Sequence, residues 1–175
     1  MKPIRNQKSQ GAVEFALVLP VLLIIIFGLI EVGHLFFVYA SVLNATREAA
    51  RYGAVTGLVG VIPQYQDCTG IENSALNVRF LASFTSKDII IKYDQGPGTA
   101  FVGTPPGGPP PEGVPCSSMS TSQWSSIGTG SRIVVSINSP FSVLVPLIPI
   151  QPFTIHAVSS RTILGSIGIL PPPLP

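Results

Sequence analysis

Charged side chains are scarce in this 175-residue chain, at 10% of all residues, whereas ordinary soluble domains carry about 25%. Ten basic and eight acidic residues leave a formal net charge of +2 at pH 7. Lys2, Arg5 and Lys8 contribute +3 before residue 12, so the remainder of the chain is slightly acidic. The sequence therefore lacks the basic patch that a nucleic-acid-binding surface requires, and we expect no nucleic-acid partner.

Residues that carry catalysis or bind metals are also few. The two histidines, His34 and His156, have no Cys, Asp or Glu beside them at the spacing of a metal site. Neither a G-x-S-x-G nucleophile elbow nor a phosphate-binding glycine loop is present. We therefore predict a protein that is not an enzyme and that needs no metal, no cofactor and no small-molecule substrate.

Only two cysteines occur, Cys68 and Cys116, and both lie well beyond the apolar N-terminal region. An even pair of cysteines in an oxidising compartment is able to form a disulfide. The sequence leaves two interpretations open, a bond between Cys68 and Cys116 or two free thiols.

Long apolar stretches are what the chain has in abundance. Sixteen consecutive uncharged residues run from Phe15 to Ile30, and a helix needs about 20 apolar residues to cross a bilayer. We therefore predict a basic leader over residues 1–11 and a transmembrane segment over about residues 12–33. Because basic residues stay on the cytoplasmic side of a span, we expect the N-terminus inside and the C-terminal domain outside.

The helical pattern continues past the membrane segment and covers residues 12–56, until glycines and a proline interrupt it. Such a helix is about 67 Å long, so its second half has to protrude from a bilayer whose core is about 30 Å thick. Small residues recur every fourth position in that half, at Ser41, Ala45, Ala49 and Gly53. Stripes of this kind let helix backbones approach closely, which predicts helix packing. The alternative is an alanine-rich helix with high intrinsic propensity and no partner.

The rest of the chain predicts a small α+β domain with a short helix and about three antiparallel strands. Residues 57–94 contain a helical pattern over 71–84 and a β-branched run over 88–93. Residues 95–130 hold seven prolines and eight glycines, typical of a long loop. Two further strands are predicted within residues 131–164, at 131–138 and 153–164, and residues 165–175 read as a flexible tail.

Two carboxylates stand out in the apolar region because a charge in a bilayer is costly. Glu14 lies near its start, close to the expected cytoplasmic interface. Glu31 lies near its end, three residues before His34. The Glu31–His34 pair either shares a proton, or contacts a partner, or simply marks the outer edge of the bilayer.

Specific blocks of the N-terminal region resemble a known family. They are "AVEFALVLPVLL", an "FG-IE-G" pattern over residues 27–33, and "A-REAARYGA" at the end of the helix. Over about residues 9–56 the sequence closely resembles TadE-like proteins, which are minor pseudopilins of the tight adherence (Flp) pilus system. The segment "SPFSVLVPLIP" resembles the family's Pro-Phe segment between its last two strands.

The resemblance implies processing by a prepilin peptidase at the cytoplasmic edge of the membrane. The family's carboxylate is expected at position +5 of the mature chain and an aromatic residue at +6, which match Glu14 and Phe15. The cut then falls between Ser9 and Gln10. The sequence departs from the usual pattern here, because Ser9 stands where a glycine is usual; absence of cleavage is the alternative.

The same resemblance implies partners and a location. It indicates a single-pass protein of the cytoplasmic (inner) membrane that packs with other pilin-like subunits and a pilus assembly platform. Two other interpretations remain open from the sequence. One is an unrelated single-span membrane protein whose outer domain binds a ligand or partner. The other is a secreted protein cut after Ala40 by signal peptidase, although the apolar stretch is longer than signal peptides have.

Overall fold

The computed structural model describes residues 7–104, 113–145 and 151–164, with side chains from residue 11 onward. One long helix, α1 (Gln7–Ala54), precedes a small mixed domain and runs unbroken through Pro20. A 48-residue helix spans about 72 Å. Its first half stands clear of the domain and its second half packs on the domain. The predicted tail over residues 165–175 lies outside the described residues.

In its described residues, the domain contains two short α-helices and five strands, and the strands form two antiparallel sheets. A two-residue pairing of β1 (Leu58–Val59) with β2 (Ile62–Pro63) forms the small hairpin after α1. The helix α2 (Cys68–Asn77) follows, and a four-residue α3 (Thr121–Trp124) lies in the long connection. The main sheet has the order β3-β4-β5, with strands at Ile89–Asp94, Arg132–Phe141 and Phe153–Thr162. The predicted α+β class with three antiparallel strands is confirmed.

The central strand β4 shows the alternation that its sequence predicts. Ile133, Val135 and Ile137 are fully buried, whereas the residues between them are half-buried. Side chains of successive strand residues point to opposite faces, so these three form one row of the core. The strand continues to Phe141 and includes Pro140, three residues beyond the predicted end. Its pairing with β5 extends to Phe141 opposite Phe153.

The second half of α1 fills the space over this sheet and beside α2. Its buried side chains are small or β-branched at a spacing of three to four residues, which is the helical period. They are Val38, Ser41, Val42, Ala45, Thr46, Ala49, Ala50 and Ala54. The second half of the helix thus supplies one wall of the domain's hydrophobic core.

The short helix differs from its predicted range. α2 begins at Cys68 and ends at Asn77, whereas the apolar pattern predicts a helix over residues 71–84. The backbone amide of Phe80 donates to the Ser41 hydroxyl of α1 at 2.7 Å, so it cannot donate to a carbonyl of its own helix. Leu81 then adopts a φ of +60°, which a helix does not allow. Contact with α1 therefore ends α2 early.

The long connection over residues 95–130 is more ordered in its described parts than the proline and glycine content predicts. Phe101 bridges back to Asp94 at the end of β3. Trp124 lies with its ring centroid 5.4 Å from that of Tyr93 and 6.4 Å from that of Tyr65. The only tryptophan of the chain thus anchors the connection to its own domain.

Candidate functional site

The region around the expected cut lies on the free end of α1. Ser9 and Gln10 fall within the helix, which begins at Gln7. Glu14 is exposed, and 63% of the Phe15 side chain is accessible. Glu14 and Phe15 are thus open to contact with a membrane enzyme or another subunit.

The turns of α1 after Phe15 expose apolar side chains on all faces. Large exposed side chains occur at nearly every position from Val13 to Ile30, with accessible fractions that reach 74% at Leu29. A helix that is apolar all round is stable only inside a protein core or a membrane. Among the described residues, α1 alone is long and apolar enough to cross a bilayer. This helix indicates a single-pass membrane protein.

The free half of α1 meets the domain at Glu31. This carboxylate is 6% exposed and accepts hydrogen bonds from two backbone amides in the connection between β4 and β5. The Leu144 amide lies 3.2 and 3.1 Å from the two carboxylate oxygens, and the Val145 amide lies 3.3 Å from Oε2. A buried carboxylate is tolerated when it is hydrogen-bonded, so these amides explain how Glu31 resides in an apolar region.

His34 completes this contact, which we call the neck (Glu31, His34, Phe141, Leu144 and Val145). Its Nδ1 lies 3.9 Å from Glu31 Oε1, too far for a hydrogen bond. The imidazole ring instead packs on Phe141, with centroids 5.2 Å apart. Nδ1 is buried and has no hydrogen-bond partner among the described residues. Within the neck, Glu31 is therefore hydrogen-bonded to the backbone of the connection between β4 and β5 and not to His34.

The stripe of small residues lies against the chain's own domain. Ala45 and Ala49 are fully buried, and Ser41 accepts the Phe80 amide. A Cβ added to Gly53 would lie 2.4 Å from Ile133 Cδ1 and 3.1 Å from Ile71 Cδ1. The close approach that the small residues predict therefore occurs within the chain, to α2 and β4, and the stripe does not face outward.

The two cysteines form a disulfide between the start of α2 and the long connection. The Cα atoms of Cys68 and Cys116 are 5.8 Å apart, within the range that a disulfide needs. The Tyr93 hydroxyl lies 3.3 Å from Cys116 Sγ and donates to the Tyr65 carbonyl. Burial raises the pKa of the Tyr93 hydroxyl, so this phenol stays protonated and keeps its role as a donor.

Two of the grooves on the described surface differ in their chemistry. The first, about 640 Å³, lies at the far end of β5 and is lined by polar groups that include Arg47, Arg51 and Arg161. Arg51 is already paired with Glu48 through two hydrogen bonds. The second groove, about 390 Å³, lies near the neck and is apolar. Its lining is Val32, Leu35, Phe36, Tyr39, Phe153, Ile155 and His156.

Glu31 stands out in the sequence as a carboxylate in an apolar region. Its partners Leu144 and Val145 do not, because they donate hydrogen bonds through backbone amides, which every residue except proline has. One signal was available. The chain carries no Asp, Glu, Lys or Arg from residue 133 to residue 160, an unusually long uncharged stretch for a connection between two strands at a surface. Within it, "SVLVPLIPI" resembles a buried segment more than a solvated loop.

The part of the chain that is similar to known proteins lies in α1. A family model described as TadE-like protein matches residues 10–51. This range begins at the expected first mature residue and ends within the buried half of α1. No curated protein and no solved structure matches the chain. The predicted resemblance is confirmed over this range, where the long helix matches the TadE-like family model.

Proposed function

We propose that the protein is a minor pseudopilin that takes part in assembly of a tight adherence pilus, as a structural subunit and not as an enzyme. The observation that carries this proposal is the division of α1. Its TadE-like range contains an exposed apolar half and a half that is buried in the chain's own domain. Such a helix delivers a folded domain to a membrane and leaves its first turns open to lipid or to neighbouring helices.

The peptidase step fits the accessible end of α1. In this proposal a prepilin peptidase cuts between Ser9 and Gln10, with Glu14 and Phe15 at the fifth and sixth positions of the product. The new α-amine is largely cationic at neutral pH. Glu14 of one subunit then pairs with the amine of a neighbour, since a charge in an apolar assembly requires a partner. That requirement sets the register between subunits.

Contacts with other pilin-like subunits and the assembly platform use the exposed half of α1, over residues 11–30. The stripe at residues 41–53 is occupied by the chain's own sheet and α2, so packing between subunits has to involve other surfaces. We place the protein in the cytoplasmic membrane, with the leader inside and the disulfide-bonded domain outside, where oxidising conditions favour the bond between Cys68 and Cys116.

N-terminal sequencing of the protein from its native membrane tests the proposal. We expect a chain that starts at Gln10 in cells with the prepilin peptidase and at Met1 in cells without it. A start at Met1 in both would support the unrelated single-span protein, and a start at Ser41 would support a secreted protein.

Substitution of Glu14 tests whether this carboxylate acts in processing or in assembly. Glu14→Ala should reduce either cleavage or co-purification with the other pilin-like subunits. The matched control is Glu48→Ala, which removes a glutamate of the same helix that is paired with Arg51 on the domain surface. Normal cleavage and normal co-purification of Glu14→Ala would contradict the pseudopilin role of this carboxylate.

A further inference from the structure

The exposed surface of α1 changes character well beyond Glu31. Large apolar side chains remain exposed through Val32, Phe36, Phe37 and Tyr39, with accessible fractions of 49–68%. The next exposed positions of the helix are polar, at Asn44, Arg47 and Arg51. The apolar belt from Phe15 to Tyr39 is about 36 Å long, somewhat more than the hydrocarbon core of about 30 Å. The belt therefore reaches the membrane surface on the domain side.

The neck holds residues 144 and 145 of the domain at the same level along the α1 axis as the apolar belt. Glu31 lies 17 residues after Glu14, a distance of about 25 Å along the helix. With Glu14 at one boundary of the hydrocarbon core, Glu31 lies just inside the other boundary. The hydrogen bonds of Glu31 hold the Leu144 and Val145 amides at the same level. Residues 144 and 145, just after β4, are consequently held at membrane depth.

The side chains at that level suit lipid. Leu144 is 60% exposed and Phe153 is 41% exposed, and both lie in the stretch without charged residues. The backbone amides of Leu144 and Val145 are hydrogen-bonded to Glu31, which removes the cost of placing them in an apolar medium. The apolar groove of about 390 Å³ lies between α1 and β5 and shares Val32, Phe36 and Tyr39 with the exposed belt of the helix.

We propose that the membrane-side edge of the domain (Leu144 and Phe153, with Phe36 and Tyr39 of α1) is inserted in the domain-side leaflet, and that a phospholipid acyl chain occupies the apolar groove. The occupant follows from continuity, because the groove opens onto the same face of α1 that contacts lipid. Phe36 and Tyr39 occupy the level where aromatic belts of membrane proteins lie. The domain thus has a second membrane contact besides the span. This inference rests on the membrane span and not on a role in pili.

Fluorescence quenching by brominated phosphatidylcholine in vesicles that contain the full chain tests this inference. Both native cysteines are bonded to each other, so an introduced cysteine is the only thiol that reacts with an NBD label. The test positions are Leu144→Cys and Phe153→Cys. Leu29→Cys, in the exposed apolar half of α1, is the positive control. Ser160→Cys, at the other end of β5 beside the arginine-lined groove, is the negative control.

We expect the labels at residues 144 and 153 to be quenched to an extent comparable with residue 29, and the label at residue 160 to be unaffected. Their emission should also be shifted to shorter wavelength than that of residue 160. Labels at 144 and 153 that behave like residue 160 would overturn the inference. A shifted emission without quenching would also overturn it, because another protein surface or a second copy would then cover the edge. Migration on a non-reducing gel shows whether each variant keeps its disulfide.

Discussion

At the scale of single residues, Glu31 has the most demanding position in the described structure. It is a buried carboxylate at the membrane end of the domain. Its two oxygens accept hydrogen bonds from the backbone amides of Leu144 and Val145, which lie more than 110 residues further along the sequence. The contact is reciprocal, since the amides need an acceptor in an apolar region as much as the carboxylate needs donors. Glu31 therefore acts as a positioning residue for the connection between β4 and β5.

Removal of this acceptor should loosen the connection. Glu31→Ala leaves the Leu144 and Val145 amides without a partner, a cost of about 1–3 kcal/mol for each buried group. We expect amide hydrogen exchange of these two residues to accelerate roughly tenfold or more, measured by mass spectrometry in detergent micelles. Glu31→Gln retains a carbonyl acceptor and should have the smaller effect. Equal exchange in Glu31→Ala and the unaltered protein would show that the hydrogen bonds do not hold the connection.

Glu72 on α2 makes stability depend on pH. Desolvation raises the pKa of this half-buried carboxyl group, so the folded state disfavours its charged form. Because the pKa of Glu72 is higher in the folded state than in the unfolded state, the protonated carboxyl group favours folding. This contribution to the free energy of unfolding is fully present below the pKa of the unfolded state and is lost as pH rises through the pKa of the folded state.

Glu72→Gln should therefore be more stable than the unaltered protein at pH 7 and lose this advantage near pH 4. Urea unfolding followed by Trp124 emission measures the difference, because that ring packs on Tyr93 and Tyr65. The opposite order of stabilities at pH 7 would show that Glu72 gains more from its charge than it loses by burial.

At the scale of secondary structure elements, the second half of α1 packs so closely on β4 and α2 that Gly53 leaves no room for a larger side chain. Gly53→Val should lower the free energy of unfolding by about 1–3 kcal/mol, because overpacking forces neighbours to move. Gly53→Ala should cost less. Its Cβ meets the tip of the Ile133 side chain, which is able to turn away, and alanine favours the helix by about 1 kcal/mol over glycine.

The matched control for Gly53 lies on the same helix. A Cβ at Gly28 meets nothing within 4 Å, so Gly28→Val should leave urea unfolding of the domain unchanged when Trp124 emission is followed. Equal midpoints for Gly53→Val and Gly28→Val would mean that the stripe is not packed as tightly as the structure indicates.

The disulfide joins α2 to the long connection across a sequence separation of 48 residues. Closing a loop of this size restricts the unfolded chain by about 4 kcal/mol in the chain-entropy account. The double variant Cys68→Ser/Cys116→Ser should lose about this much unfolding free energy in urea, and it leaves no free thiol to react. A loss well below 1 kcal/mol would indicate that contacts of Trp124 and Tyr93 hold the connection without the bond.

Elements whose sequence pattern is local are predictable from the sequence. The 3.6-residue and two-residue periods identify α1 and the strand at Ile133, Val135 and Ile137. The neighbours against which those elements pack are not predictable in this way. The stripe at residues 41–53 predicts a close neighbour, but its spacing does not say whether that neighbour belongs to another subunit or to the same chain. The end of α2 likewise depends on the Ser41 hydroxyl, which is 39 residues from Phe80 in the sequence.

At the scale of the whole molecule, the division of α1 separates a membrane part from a folded part. Every hydrophobic residue of the described core lies at Val38 or later, and the residues that contact this core from the edge begin at Leu35. The exposed apolar surface lies mainly before that point. The described hydrophobic core of the domain thus lies within residues 35–164, and Glu31 is the residue before this range that the domain uses as a buried contact.

A fragment of residues 35–175 should therefore fold without a bilayer. We expect it to stay in the supernatant after ultracentrifugation without detergent, to form the Cys68–Cys116 bond, and to unfold cooperatively in urea with Trp124 as the reporter. The full chain, which exposes large apolar side chains along α1 from Phe15 to Ile30, should sediment under the same conditions. Substitution of Phe36 and Phe37 by serine in the fragment lowers its remaining apolar exposure and controls for simple aggregation. If that substituted fragment is soluble but lacks cooperative unfolding, the domain needs the Glu31 neck, and the boundary between its folded and membrane parts lies before residue 31.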